Sequence, residues 1–166
     1  MALGRNGTIL VANPASNSVL TLTRTGQILH TLGGAVGAGP TQLSQPSDVA
    51  FGTGGLTYIL DNNNQRVQIV SAANTFTGQR PAPSSSTLAS AHILPLPDGR
   101  LLVSDPTGAL LLYPSNGGSA TRIVLRVKGD SSTHISPLGL ALTGRGRVLI
   151  TDTTGNRLLV LSVARL

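Results

Sequence analysis

The side chains able to do acid–base or metal chemistry are few: six aspartates, no glutamate, no cysteine, and three histidines at positions 30, 92 and 134. Without Cys there is no thiolate nucleophile, disulfide framework or cysteine metal site. Without Glu, paired-carboxylate chemistry would fall to the aspartates alone. A serine triad lacks its Gly-x-Ser-x-Gly elbow. Gly33 to Gly39 is glycine-rich, yet it has neither the Gly-x-Gly-x-x-Gly spacing nor a terminal Lys-Ser/Thr, so it reads as a connecting loop and not as a phosphate cradle. The commonest ionic group is the guanidinium, with eleven arginines, one lysine and a net charge of +6.

The aspartates recur in a pattern. Thr8-Ile-Leu-Val-Ala-Asn13, Thr57-Tyr-Ile-Leu-Asp61, Leu101-Leu-Val-Ser-Asp105 and Val148-Leu-Ile-Thr-Asp152 are four β-rich runs that each end in Asn or Asp. The four anchors, Asn13, Asp61, Asp105 and Asp152, lie 48, 44 and 47 residues apart, a period that suits a four-stranded sheet unit. A polar turn and a second apolar run follow each anchor, which predicts four hairpins. A further short apolar stretch precedes each of the last three anchors. Outer strands are predicted near Gln27–Leu32 and Arg122–Val127, and the segment after Phe76 is poorly marked. No helical periodicity survives the recurrent Pro and Gly. The chain reads as all-β, with repeats at about 1–46, 47–91, 92–137 and 138–166 and the Pro/Ser-rich stretch Arg80–Ser90 as an elongated loop.

These residues carry a resemblance. Asp61-Asn-Asn-Asn-Gln65-Arg66-Val67, Asp152-Thr-Thr-Gly-Asn156-Arg157-Leu158, and the run from Leu32 through Gly33-Gly34, Gly37, Gly39-Pro40 and Gln45-Pro46 to Ala50 resemble the NHL repeat of NHL-type β-propellers. The first repeat has Asn13 and the third Asp105-Pro-Thr-Gly108, and neither has the Arg. Overlaying the repeats starts the chain in the last residues of an inner strand and stops it after a third strand. That gives an expectation of about three and a half blades, an incomplete or open array that completes itself by association or belongs to a longer propeller. In the motif, the anchor Asp is expected to accept backbone N–H groups, with Arg66 and Arg157 pairing with it.

The resemblance implies a fold more than a function, because such propellers include RNA binders, protein platforms and a few lyases. The expectation drawn is a non-catalytic interaction scaffold with a protein partner, no cofactor and no metal. The first alternative is RNA binding by an arginine-rich face built from Arg5, Arg24, Arg100, Arg145 and Arg147, with the few aromatics arguing against base stacking. The second is a metal-dependent, lyase-like enzyme. Peptide-amidating lyases hold zinc with histidines at the start of inner strands, where this chain has Ser47, His92 and Leu138. One imidazole falls short of the three protein ligands a catalytic zinc needs. No apolar run is long enough for a membrane helix and no segment reads as a leader, which leaves the compartment open and tilts the expectation only slightly towards an intracellular setting.

Overall fold

The computed structural model describes residues 1–4, 6–82, 91–105, 107–127 and 135–163. Among these residues the regular structure is fifteen strands and three short 3₁₀ turns. The chain divides into two compact units, Met1–Ser84 and Ser85–Leu166.

The first unit holds two antiparallel sheets. Sheet one runs β1 (Ala2–Leu3), β2 (Ile9–Asn13), β3 (Ser18–Leu22) and β4 (Ile28–Gly33), and sheet two runs β5 (Pro46–Phe51), β6 (Thr57–Asp61), β7 (Arg66–Val70) and β8 (Phe76–Pro81), each in sequence order. The strands form because aliphatic residues alternate between the two faces of each run, and one face of sheet one meets one face of sheet two. Leu10, Val19 and Leu32 pack there against Val49, Ile59 and Val70, with Leu43 of the intervening loop in the same cluster.

The second unit repeats the plan. Sheet three is β9 (Ile93–Pro95), β10 (Leu101–Asp105), β11 (Ala109–Tyr113) and β12 (Thr121–Val124); sheet four is β13 (Pro137–Leu142), β14 (Arg147–Asp152) and β15 (Arg157–Ser162). Leu96, Leu102, Leu110 and Leu112 pack with Val148 and Ile150.

The expectation of about three and a half blades is corrected. Four antiparallel sheets form, and the first is not a remnant: Ala2 and Leu3 pair with Leu10 and Ile9, so two residues suffice to give it a fourth strand. Sheet four has three strands among the described residues. The poorly marked segment after Phe76 is the full strand β8, paired with β7 through Arg66↔Pro81 to Val70↔Phe76. Polar side chains on both faces had masked it, since Thr77, Gly78 and Gln79 are exposed. The Pro/Ser-rich loop falls largely in 83–90, outside the described residues.

The anchors close equivalent hairpins in all four sheets. Asn13 pairs with Ser18, Asp61 with Arg66, Asp105 with Ala109 and Asp152 with Arg157. Three of these turns carry a non-glycine residue in the left-handed region four positions after the anchor, Asn17, Gln65 and Asn156. The third turn is one residue shorter and uses Gly108 at φ +109°. At Gly33, with φ +80°, a Cβ would stand 2.6 Å from the Asn17 carbonyl oxygen, so the hairpin turn of sheet one and the end of β4 approach each other only because no side chain intervenes.

Candidate functional site

The anchor ends of the sheets are built around buried carboxylates. In sheet two, Asp61 is fully buried. Its Oδ1 accepts the Ser44 N–H at 2.7 Å, and its Oδ2 accepts the Asn64 amide and the Arg66 Nε–H, each at 2.8 Å. Arg66 uses the rest of its guanidinium on the loop that leads into its own sheet. Nη1 donates to the Ala38 carbonyl and the Gln79 side-chain oxygen, both at 2.9 Å; Nη2 donates to the carbonyls of Gly39 at 3.0 Å and Gln42 at 2.9 Å. All five guanidinium N–H groups are thereby engaged. Beside this clamp lies a groove of about 320 Å³ lined by Pro40, Arg66, Gln68, Phe76 and Gln79. Because every Arg66 donor already has an acceptor, the groove offers no uncommitted positive charge.

Sheet four repeats the core of the arrangement. Asp152 Oδ1 accepts the N–H groups of Ser136 at 3.0 Å and Gly155 at 3.2 Å, and Arg157 Nε donates to Oδ2 at 2.8 Å. Burial acts to raise the Asp152 pKa, but these donors together outweigh it and hold the carboxyl below its ordinary value.

The third sheet satisfies its anchor differently. Asp105 Oδ1 accepts the N–H and hydroxyl of Thr107, and Oδ2 pairs at 2.6 Å with Arg122, which arrives from the outer strand β12. Here too burial raises the pKa, and the Thr107 and Arg122 contacts together lower it below the ordinary range. Sequence reading missed Arg122 as an anchor partner because it lies seventeen residues on; the absent Arg after the shortened turn was the only signal. In the first sheet the corresponding work falls to Asn17, whose side-chain oxygen accepts the Gln45 N–H at 2.9 Å.

The arginines expected to form one face are separated by this accounting. Arg5 lies outside the described residues. Arg24, in the first unit, is exposed, and its side chain covers Gly7. In the second unit Arg100, Arg145 and Arg147 come together: Arg100 pairs with Asp98 and donates to the Val163 carbonyl at 3.3 Å, while the Val163 N–H donates to the Gly146 carbonyl at 3.0 Å. Arg145 and Arg147 are exposed, with their backbone N–H groups held by the Thr143 hydroxyl. Arg100 holds the Asp98 carboxyl below its ordinary pKa, chiefly through the side-chain hydrogen bond.

Of the histidines, His30 is exposed on the outer strand β4, and His134 lies outside the described residues. His92 immediately precedes β9. It is exposed, and its backbone is fixed at both ends by Ser104: the His92 N–H donates to the Ser104 hydroxyl at 2.8 Å and the His92 carbonyl accepts the Ser104 N–H at 2.9 Å. The buried Ser104 hydroxyl in turn donates to the Leu138 carbonyl at 3.2 Å, at the start of the next inner strand. Zinc of the kind the resemblance implies does not fit these positions, since Leu138 offers no side-chain donor and Ser47 only a hydroxyl. Among the described residues no three His, Asp or Glu side chains are grouped to hold an ion.

Comparison with known proteins adds a further constraint. The sequence pattern described as "NHL repeat" matches residues 43–70, which span the clamp of sheet two. Among solved structures, the chain resembles a streptogramin B lyase, with TM-score 0.68, 15% identity, and coverage of 97% of this chain and 53% of that one. It also resembles the catalytically inactive H270A virginiamycin B lyase from Staphylococcus aureus with quinupristin, with TM-score 0.72, 15% identity and coverage of 98% and 51%. A protein of unknown function from Bacteroides caccae matches with TM-score 0.61 at 15% identity, covering 96% and 60%. The fold is that of a β-propeller, with four blades. The chain spans about half the length of the lyase structures it matches. A search of curated protein sequences gives no match. Among the described residues no helix is long and apolar enough to cross a membrane.

These likenesses overturn the expectation of a non-enzymatic scaffold. It rested on treating the propeller as a binding module, whereas the solved propellers that superpose on nearly all of this chain include lyases.

Two stability predictions follow from the anchors. Arg66→Lys removes the planar fork and leaves carbonyls of the 38–42 loop without donors; the expected loss is about 3 kcal/mol in urea unfolding, against about 1 kcal/mol or less for Arg122→Ala at its half-exposed pair. Because the native pKa values of Asp105 and Asp152 lie below the unfolded value of 3.8, their contribution is full above that value and is lost as the pH falls through the native pKa values. Urea midpoints measured from pH 6 to pH 2 are expected to fall at the acid end, less steeply in Asp152→Asn.

Proposed function

We propose that the chain is part of a lyase-type β-propeller enzyme in which His92 takes a proton from the substrate. A lyase reaction of this kind is an elimination: a base removes a proton, a leaving group departs with the electron pair, and a carbon–carbon double bond remains. The base must be part-deprotonated near neutral pH, which is the property of imidazole. This chain has no Glu and no Cys, and Asp61, Asp105 and Asp152 are buried in hydrogen bonds that hold the sheets together. Of the groups that remain, imidazole is the one whose ordinary pKa suits the task. His92 is exposed at the start of an inner strand, with its backbone held by Ser104, so the ring is presented from a fixed position.

The observation that carries this reading is the superposition of nearly the whole chain on streptogramin B and virginiamycin B lyases, one of them made inactive by replacing a histidine. Incubation of the whole polypeptide with quinupristin, followed by mass spectrometry and by ultraviolet absorbance of the new double bond, tests this reading. Turnover is expected to fall at least about 100-fold in His92→Ala and to be unchanged in His30→Ala. No turnover by the whole polypeptide to which the chain belongs, or equal turnover by its His92→Ala variant, overturns the proposal.

A second reading is favoured by the charge distribution. Among the described residues, Asp61, Asp98, Asp105 and Asp152 are each paired with an arginine, which leaves Arg145 and Arg147 exposed without a carboxylate. Guanidinium groups on a rigid turn suit the phosphates of RNA, held without base reading because Tyr58 and Tyr113 are buried. Fluorescence anisotropy with a labelled single-stranded RNA is expected to show salt-dependent binding. Its log–log salt slope should shrink by about 1.4 when Arg145 and Arg147 are both changed to alanine. A slope that does not change removes this reading.

A further inference from the structure

The groove beside the Arg66 clamp has a chemistry of its own. It encloses about 320 Å³ and is lined wholly by residues of the first unit, from the 38–40 loop, β7 and β8. Gln68 and Gln79 face each other across β7 and β8, so their side chains leave the sheet on the same side, about 5 Å apart at Cβ. The orientation of each amide is set by a neighbour that can play only one part. The Pro40 carbonyl can only accept, so Gln68 Nε2 is the atom that meets it, at 3.2 Å. The Arg66 guanidinium can only donate, so Gln79 Oε1 meets its Nη1, at 2.9 Å.

What the two amides leave over is complementary. Gln68 keeps the acceptor Oε1 and Gln79 keeps both N–H groups of Nε2; among the described residues neither atom has a partner, and the two do not bond each other. For Gln68 this is costly, because the residue is only 2% exposed and a buried polar atom without a partner gives up hydration for nothing. Its Oε1 is not one of the unpartnered oxygens sealed inside the molecule, such as Ser47 Oγ and Asn62 Oδ1, so it opens on the groove that Gln68 lines. Half-buried Phe76 and exposed Pro40 add apolar surface to the same groove.

We propose that this groove binds a neutral sugar ring. A hydroxyl donates and accepts at one atom, so one hydroxyl or a vicinal pair serves Gln68 Oε1 and Gln79 Nε2 together. A peptide group, with N–H and C=O on opposite sides, satisfies one glutamine at a time. The slightly positive C–H groups on one face of a pyranose suit the negative face of the Phe76 ring. A carboxylate or phosphate finds no counter-ion, because every Arg66 donor is already engaged. The volume stands at the low end for small-molecule sites, which suits one or two rings. The inference does not rest on the lyase reading.

Saturation-transfer NMR on the whole polypeptide to which the chain belongs tests it, with methyl β-glucopyranoside, cellobiose and maltose as probes. At least one of these sugars is expected to bind with a Kd of about 1 mM or below, independently of salt. Gln79→Glu keeps an oxygen for Arg66 but replaces the unpartnered N–H groups with a second acceptor, so binding is expected to weaken at least about 10-fold. Gln27→Glu, at an exposed position of sheet one outside the groove, is expected to leave binding unchanged. Circular dichroism checks that both variants are folded. No transfer to any of these sugars at about 10 mM overturns the proposal, as does equal binding by Gln79→Glu. Transfer to N-acetyl-trialanine amide with none to the sugars also overturns it and makes the groove a peptide site.

Discussion

A carboxylate removed from water must be met by donors, and the rest of this structure follows from how that requirement is satisfied at Asp61, Asp105 and Asp152. Each lies at the end of the second strand of its sheet, where backbone N–H groups of neighbouring loops are available. The Asp61–Arg66 pair goes furthest. One guanidinium connects the buried carboxylate to Ala38, Gly39 and Gln42, so a glycine-rich loop whose own backbone bonds are few is fixed against the sheet it feeds. The hydrophobic clusters supply most of the cohesive free energy, but they are non-directional. The carboxylate networks decide where the loops lie.

The same economy shapes the outside of the molecule. Because the chain has no glutamate and buries most of its aspartates, its negative charge is drawn inward and guanidinium groups predominate on the surface. Among the described residues, Asp98 is the carboxylate that opposes the arginines gathered around the 143–147 turn, and it is held by Arg100. His92 is, among the described residues, an exposed imidazole whose backbone is held by Ser104.

The sheet faces express the other general constraint. Each blade is apolar on both faces, so each needs a neighbour on both sides. Val19 and Leu110 have theirs within their own units, while Leu158 on sheet four and Leu3 on sheet one are exposed.

The sequence by itself determined the hairpins and their period. Strand alternation and the anchor Asn or Asp are local features, readable from adjacent residues, and so were the polar turns after the anchors, where the short amides of Asn17 and Asn156 tolerate the left-handed region that Gln65 also adopts. The tertiary structure alone decided which donors reach the anchors. Arg122 meets Asp105 across seventeen residues, Ser104 links His92 to Leu138, and two residues at the start of the chain complete sheet one. These contacts depend on strands folding back beside one another, and the energy of a hydrogen bond falls off within ångströms, so spacing along the chain carries no record of them.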